Sequence, residues 1–92
     1  VGTFSRTSGD TTNVDCGFTN GARFVLLKRT NTTGNWVLWD SVRGIVAGND
    51  PYVFLNSNSS QVTNQDYIDP LSSGFTLTGG IATGDWIFYA IA

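Results

Sequence analysis

The chain has 92 residues and a formal net charge of −2, so it can form one domain with a modest hydrophobic core. Charged residues make up only 13% of the sequence, about half the usual share of a soluble domain. With no net positive charge and no apolar run of transmembrane length, the sequence predicts neither nucleic-acid binding nor insertion into a membrane.

Turn-forming residues recur about every ten positions, which is the spacing of a β-sandwich or a barrel. No segment combines the apolar spacing of an amphipathic helix with helix caps. The sequence therefore predicts an all-β domain: a small antiparallel β-sandwich, lectin-like or jelly-roll-like, with about seven strands. Because no initiator methionine is present, we expect residues 1–92 to be one domain of a longer protein.

The first half of the chain predicts four strands, at residues 1–6, 14–18, 23–29 and 35–40. A polar loop at residues 8–10 closes the first strand. Between the second and third strands, Asn20-Gly21 is the strongest two-residue hairpin signal in the sequence. A further turn at residues 31–34 predicts that the third and fourth strands pair antiparallel at the centre of the sheet.

The second half predicts three strands, at residues 52–55, 74–78 and 86–92. The segment 62–71 has polar spacing and a proline, which indicates a structured loop. Phe75 and Leu77 alternate with threonines, so the strand at 74–78 is expected to be half-buried. Gly79-Gly80 and Thr83-Gly84 bracket a predicted turn before the last strand.

The fourth and last predicted strands are apolar on both faces. Trp36 and Leu38 lie on one side of the fourth strand, and Val37 and Trp39 lie on the other. A strand with two apolar faces needs a covering on both sides, by a second sheet, by loops or by another subunit. This pattern favours a small domain that packs against neighbours.

No catalytic set can be assembled from the residue types present. All seven acidic residues are aspartates. Cys16 is the only cysteine, and because histidine is absent there is no obvious base to activate its thiol. Asp66 and Asp69 are close in sequence and Asp50 could approach them, but aspartates in polar loops usually form turn hydrogen bonds. We therefore predict that the chain is not an enzyme and that it has no catalytic residue.

The same composition excludes zinc and copper sites, which need histidine or cysteine ligands. Calcium could be bound through Asn49, Asp50, Asp66 and Asp69 with backbone carbonyls, but their spacing matches no dedicated calcium loop. Turn formation is the favoured interpretation of these residues. The sequence thus predicts no metal site and no cofactor.

Aromatic residues within the strands are expected to lie in the core or in an interface. This set comprises Phe24, Trp36, Trp39, Phe54, Trp86 and Phe88. Tyr67 lies in a polar segment, so it is the best single candidate for an exposed contact with a ligand such as a glycan.

Several segments resemble a module that recurs in structural proteins of marine bacteriophages, cyanophages especially. The resemblance is carried by residues 23–30 (RFVLLKRT) and 33–44 (TGNWVLWDSVRG), and by the segments 49–56, 67–77 and 86–92. The chain departs from this family at Thr83-Gly84-Asp85, where family members commonly have a glycine-rich turn. The resemblance implies a lectin-like β-sandwich near the end of a long virion protein such as a tail fibre, and it supplies no catalytic residues.

From this resemblance we expect a structural and adhesive domain of the virion, on a tail fibre or appendage that contacts the host surface. Expected partners are other virion proteins and copies of the chain itself, with a trimer preferred, and a host surface glycan is a candidate ligand. The expected host-contact residues are Asn49, Asp50, Asn64, Asp66 and Tyr67. Two alternatives stay open: a capsid decoration or head-fibre domain, and a glycan-degrading appendage enzyme.

Overall fold

The computed structural model describes residues 1–6, 11–58, 60–78 and 81–92, and these residues form eight β-strands and no helix. The strands are β1 (Gly2–Arg6), β2 (Thr12–Asp15), β3 (Phe24–Arg29), β4 (Val37–Asp40), β5 (Val53–Phe54), β6 (Ile68–Leu71), β7 (Gly74–Leu77) and β8 (Gly84–Ile91). One sheet has the strand order β1-β8-β3-β4-β5 and the other has the order β2-β7-β6, with antiparallel pairing throughout. The predicted all-β fold, a small antiparallel β-sandwich, is confirmed.

The hydrophobic core lies between the two sheets. Val25, Leu27 and Trp39 alternate with outward residues on β3 and β4, and their side chains are completely buried. The Phe75 ring of the small sheet contacts the Phe88 ring of the large sheet edge-on, with their centroids 5.7 Å apart. Such aromatic contacts across the sandwich fix how the two sheets pack.

The strand pairing predicted for the centre of the large sheet is confirmed. β3 and β4 form an antiparallel hairpin in which Val25 lies opposite Trp39. β3 occupies the middle of the five-stranded sheet, between β8 and β4. Within the described part of the chain, no helix is long and apolar enough to span a membrane.

The hairpin predicted at Asn20-Gly21 is wrong, because β2 and β3 lie in different sheets. Gly21 has a φ of 78°, so the chain does turn there, in a backbone region that favours glycine. Its N–H donates to the Ser72 carbonyl (2.8 Å), and the Ala22 N–H donates to the Gly74 carbonyl (3.1 Å). The turn therefore docks on the β6–β7 hairpin and passes the chain to the other sheet.

The prediction that residues 62–71 form a loop is wrong for residues 68–71, which form β6 and pair with β7. β6 is an edge strand of the small sheet, and Pro70 is tolerated there because an edge strand needs ladder hydrogen bonds on one side only. The half-buried pattern predicted for β7 is also wrong, since all four of its residues are buried. Thr76 is satisfied there by a hydrogen bond from its hydroxyl to Asn13 Oδ1 (2.8 Å).

Two smaller outcomes concern turns. The second strand begins two residues earlier and ends three residues earlier than predicted. It ends at Asp15 because Asp15 Oδ1 accepts a hydrogen bond from the Gly17 N–H (2.9 Å) and turns the chain there. The turns predicted at residues 8–10 and at Gly79-Gly80 lie outside the described residues.

Candidate functional site

The loops that follow β4 and β5 are joined by backbone hydrogen bonds. The N–H groups of Tyr52 and Val62 each donate to the other residue's carbonyl at 3.0 Å. Two residues before this bridge, the Asp50 N–H donates to the Gln65 carbonyl (2.8 Å). These bonds hold Asp50 beside the segment that leads into β6.

The end of β7 fixes the same segment from the opposite side. The Thr78 hydroxyl donates to the Asp66 carbonyl (2.6 Å), and the Thr78 N–H donates to the Tyr67 carbonyl (3.0 Å). Asp69 follows within β6, where it pairs opposite Thr76. Three carboxylates from two parts of the chain are thus positioned by backbone that the sheet and the bridge hold in place.

These three residues, Asp50, Asp66 and Asp69, form the acidic cluster. One carboxylate oxygen from each lies within 4.8 Å of the other two. Asp50 is completely buried, Asp69 is half-buried and Asp66 is exposed. Within the described residues, no lysine or arginine forms an ion pair with any of them; the ion pair found there joins Arg43 to Asp40. The cluster therefore concentrates negative charge, and no ion pair from the described residues balances it.

The surroundings of the cluster raise two pKa values. Burial is the main cause that raises the pKa of Asp50 to about 6, and the charges of Asp66 and Asp69 add to it. The N–H of Val46 opposes this increase by donating to Asp50 Oδ2 at 2.6 Å. Burial, followed by the charge of Asp66, also raises the pKa of Asp69. The ionised cluster is therefore costly unless a proton or a cation balances it.

A carboxyl with a raised pKa beside a second carboxylate also occurs in glycoside hydrolases. In those enzymes both groups must reach the glycosidic bond. Asp50 has no accessible surface and cannot contact a substrate in this arrangement. Cation binding is the chemistry that the arrangement supports better.

Three of the five expected contact residues are exposed and the other two are not. The exposed residues are Asn49, Asn64 and Asp66, at the loop surface. The outward-facing position predicted for Asp50 is wrong, because the backbone bonds to Gln65 and Val46 draw it into the structure. Tyr67 is only half-buried, and its ring stacks on Tyr52 with the centroids 5.6 Å apart.

The expected core or interface aromatics occupy both faces of the large sheet. Trp39 and Trp86 are buried in the core, and Phe54 and Phe88 are half-buried against it. Trp36 is 38% exposed on the opposite face. Phe24 also lies on that face, half-buried, and its ring contacts Tyr89 edge-on at 6.1 Å.

We call the side of the large sheet that is turned away from the small sheet the outer face. It carries a row of apolar side chains. Tyr89, Leu26, Leu38 and Val53 lie opposite one another in turn across β8, β3, β4 and β5. Beside this row, Trp36 and Tyr89 line an apolar groove of about 220 Å³, which Leu26 and Ile87 also line. Tyr89 is 49% exposed. The outer face is therefore a second candidate surface, built for apolar contact.

Two features of these surfaces do not follow from the predicted strands and loops. The acidic residues are recognisable in the sequence, but the backbone bridge between Tyr52 and Val62, which brings them together, is not. The outer row has a sequence signal, because the period-2 pattern of β3 and β8 already contains it.

A family model described as "Domain of unknown function (DUF7483)" matches residues 1–92. No curated protein and no solved structure significantly matches the chain.

Proposed function

The chain belongs to the DUF7483 family, whose description states no function, and we propose from its own residues that it is a structural and adhesive domain of a bacteriophage particle. In this proposal the domain lies on a tail fibre or a comparable appendage and contacts the host surface. The resemblance of residues 23–44 to marine-phage structural proteins supports the virion setting. The apolar outer face is the observation that carries the assembly role.

The occupant that we propose for the outer face is the same face of other copies of the chain, three in all. Trp36 and Tyr89 are large side chains whose burial would supply much of the contact area, since aromatic residues dominate the energetics of interfaces. The row that includes Leu26 and Leu38 adds a continuous apolar surface between them. Three copies around one axis form a closed ring, in which one part of the outer face contacts a different part of the same face on the next copy.

The loops would then provide the adhesive surface. Asn49, Asn64 and Asp66 present exposed amide and carboxylate groups that can hydrogen-bond to sugar hydroxyls. Single contacts of this kind are weak. Three copies that bind together on one appendage would strengthen attachment through their effective concentration.

The oligomeric state of the 92-residue chain tests the assembly role. We expect sedimentation velocity to give a trimer, and Tyr89→Lys to give a monomer, because a charge in the apolar row must be desolvated on association. Val46→Lys is the matched control: Val46 is 48% exposed, as Tyr89 is 49% exposed, but it lies in the loop between β4 and β5. A monomeric native chain, or a Tyr89→Lys variant that still forms trimers, would contradict self-assembly through the outer face.

A capsid decoration or head-fibre domain is the alternative within the virion. It would use the same outer face to dock on a capsid protein, so the folded chain would be monomeric in solution and would bind isolated capsids. We do not propose a glycan-degrading activity, because Asp50 is inaccessible to a substrate.

A further inference from the structure

We propose that the acidic cluster, Asp50, Asp66 and Asp69, binds a calcium ion. This inference goes beyond the proposed function and does not depend on it. It also contradicts the sequence-based prediction that the chain has no metal site. That prediction assigned these aspartates to turn hydrogen bonds, whereas the structure leaves two of their oxygens without any hydrogen bond from the described residues.

The spacing of the carboxylates fits one shared ion. Oxygens bound to the same calcium ion lie about 2.3–2.6 Å from it, so two of them are at most about 5 Å apart. One oxygen from each carboxylate of the cluster satisfies this limit, since all three lie within 4.8 Å of one another. Magnesium demands near-octahedral geometry, keeps several waters and is usually held by only one or two carboxylates. A site in which three carboxylates converge therefore favours calcium.

The buried oxygens supply independent support. Asp50 is completely buried, and its Oδ1 accepts no hydrogen bond from the described residues, although its Oδ2 is bonded by the Val46 N–H. Asp69 Oδ1 is buried and unbonded in the same way. A buried carboxylate oxygen loses its hydration and needs a partner in exchange. A cation held among the three carboxylates would supply a partner that the described residues do not give these oxygens.

The cluster is also held in position before an ion binds. The bonds from Asp50 N–H to the Gln65 carbonyl and from the Thr78 hydroxyl to the Asp66 carbonyl fix two of the ligands from either side. Asp69 is fixed by strand pairing with β7. Binding would therefore cost little ordering of the backbone. The three carboxylates and the ion would leave a net charge of −1, and water molecules on the exposed Asp66 side would complete the oxygen shell.

Calcium titration of the 92-residue chain, freed of metal with a chelator, tests this proposal. We expect isothermal titration calorimetry to show one site with a dissociation constant of about 1 mM or tighter, the range of extracellular calcium modules. Magnesium should bind at least about tenfold more weakly. Calcium should also raise the unfolding temperature progressively with its concentration, because it binds the folded state alone.

Two variants locate the site. Asp66→Asn removes one charge from an exposed residue, so it should fold normally and weaken calcium binding at least about tenfold. Asp15→Asn is the matched control, because Asp15 is exposed on β2 and an asparagine oxygen can still accept the Gly17 N–H. The proposal fails if the native chain binds no calcium at about 10 mM, or if Asp66→Asn binds it as tightly as the native chain does. Equal affinity for magnesium would overturn the assignment to calcium.

Discussion

Among the glycines that the structure describes, Gly74 has the least room for a side chain. A Cβ at this position would clash with the Val14 carbonyl oxygen and would lie 3.0 Å from the Cys16 nitrogen, both of them backbone atoms of the neighbouring chain segment. Glycine is thus required here by the close approach of β2 to β7 and not by a positive φ.

We therefore expect Gly74→Ala to lower the free energy of unfolding by about 3 kcal/mol or more, since β2 must move away from β7 to admit the methyl group. Gly34→Ala is the control, because its Cβ would meet nothing closer than Arg29 Cβ at 3.9 Å. That change should stay within about 0.5 kcal/mol. Urea unfolding of both variants measures the difference, and similar losses in the two would refute the packing argument.

Asp50 should make the stability of the calcium-free domain depend on pH. Its pKa is about 6 in the folded state and 3.8 ordinarily, so the folded state holds the proton more tightly than the unfolded state does. The resulting stabilisation is complete below about pH 4 and is lost as the pH rises through about 6. The carboxylates that face Asp50 are those of Asp66 and Asp69, and their negative charges act in the same direction.

We expect the free energy of unfolding, measured in chelator, to fall by up to about 3 kcal/mol between about pH 4 and about pH 7.5 through this group. Asp50→Asn has no charge to bury and keeps an oxygen that can accept the Val46 N–H, so it should flatten the profile and be more stable than the native chain at neutral pH. A native profile that matches that of Asp50→Asn would show that Asp50 does not titrate as argued.

At the scale of elements, the sequence predicts well what local patterns control. β3 and β4 alternate clearly and are separated by a polar turn, so their existence and their pairing follow from neighbouring residues, although β4 begins two residues later than predicted. An alternation of the same kind in β8 predicts which of its residues face the core. These elements build the large sheet and its outer face, which is why that candidate surface can be recognised from the residues alone.

Elements that depend on distant contacts could not be predicted in this way. Asn20-Gly21 carries a correct turn signal, but whether a hairpin follows depends on the carbonyls of Ser72 and Gly74, about fifty residues away in the sequence. β6 contains Pro70 and is a strand only because β7 supplies its partner. The acidic cluster also depends on distant contacts. Its members meet through backbone hydrogen bonds between loops, and these loops carry no sequence signature.

At the scale of the whole molecule, the two candidate surfaces use different elements. The outer face is built on β8, β3, β4 and β5, whereas the acidic cluster lies on β6 and on the loops around β5. Tyr89→Lys and Asp66→Asn therefore change separate properties, self-association and cation binding. A domain arranged in this way can be packed through one surface while its loops remain open to a ligand.

Cryo-electron microscopy of particles that carry this chain tests where the domain is placed. If the outer face joins three copies, we expect density at the end of a tail or fibre, repeated in threes, with the outer faces directed inward and the loops that carry Asn49 and Asn64 directed away from the particle. Density spread over the capsid lattice, with the outer face against the shell, would instead make the domain a capsid decoration. In that case Tyr89→Lys should release the domain from capsids and leave the tail unchanged, because the apolar row would then be the docking surface for the shell.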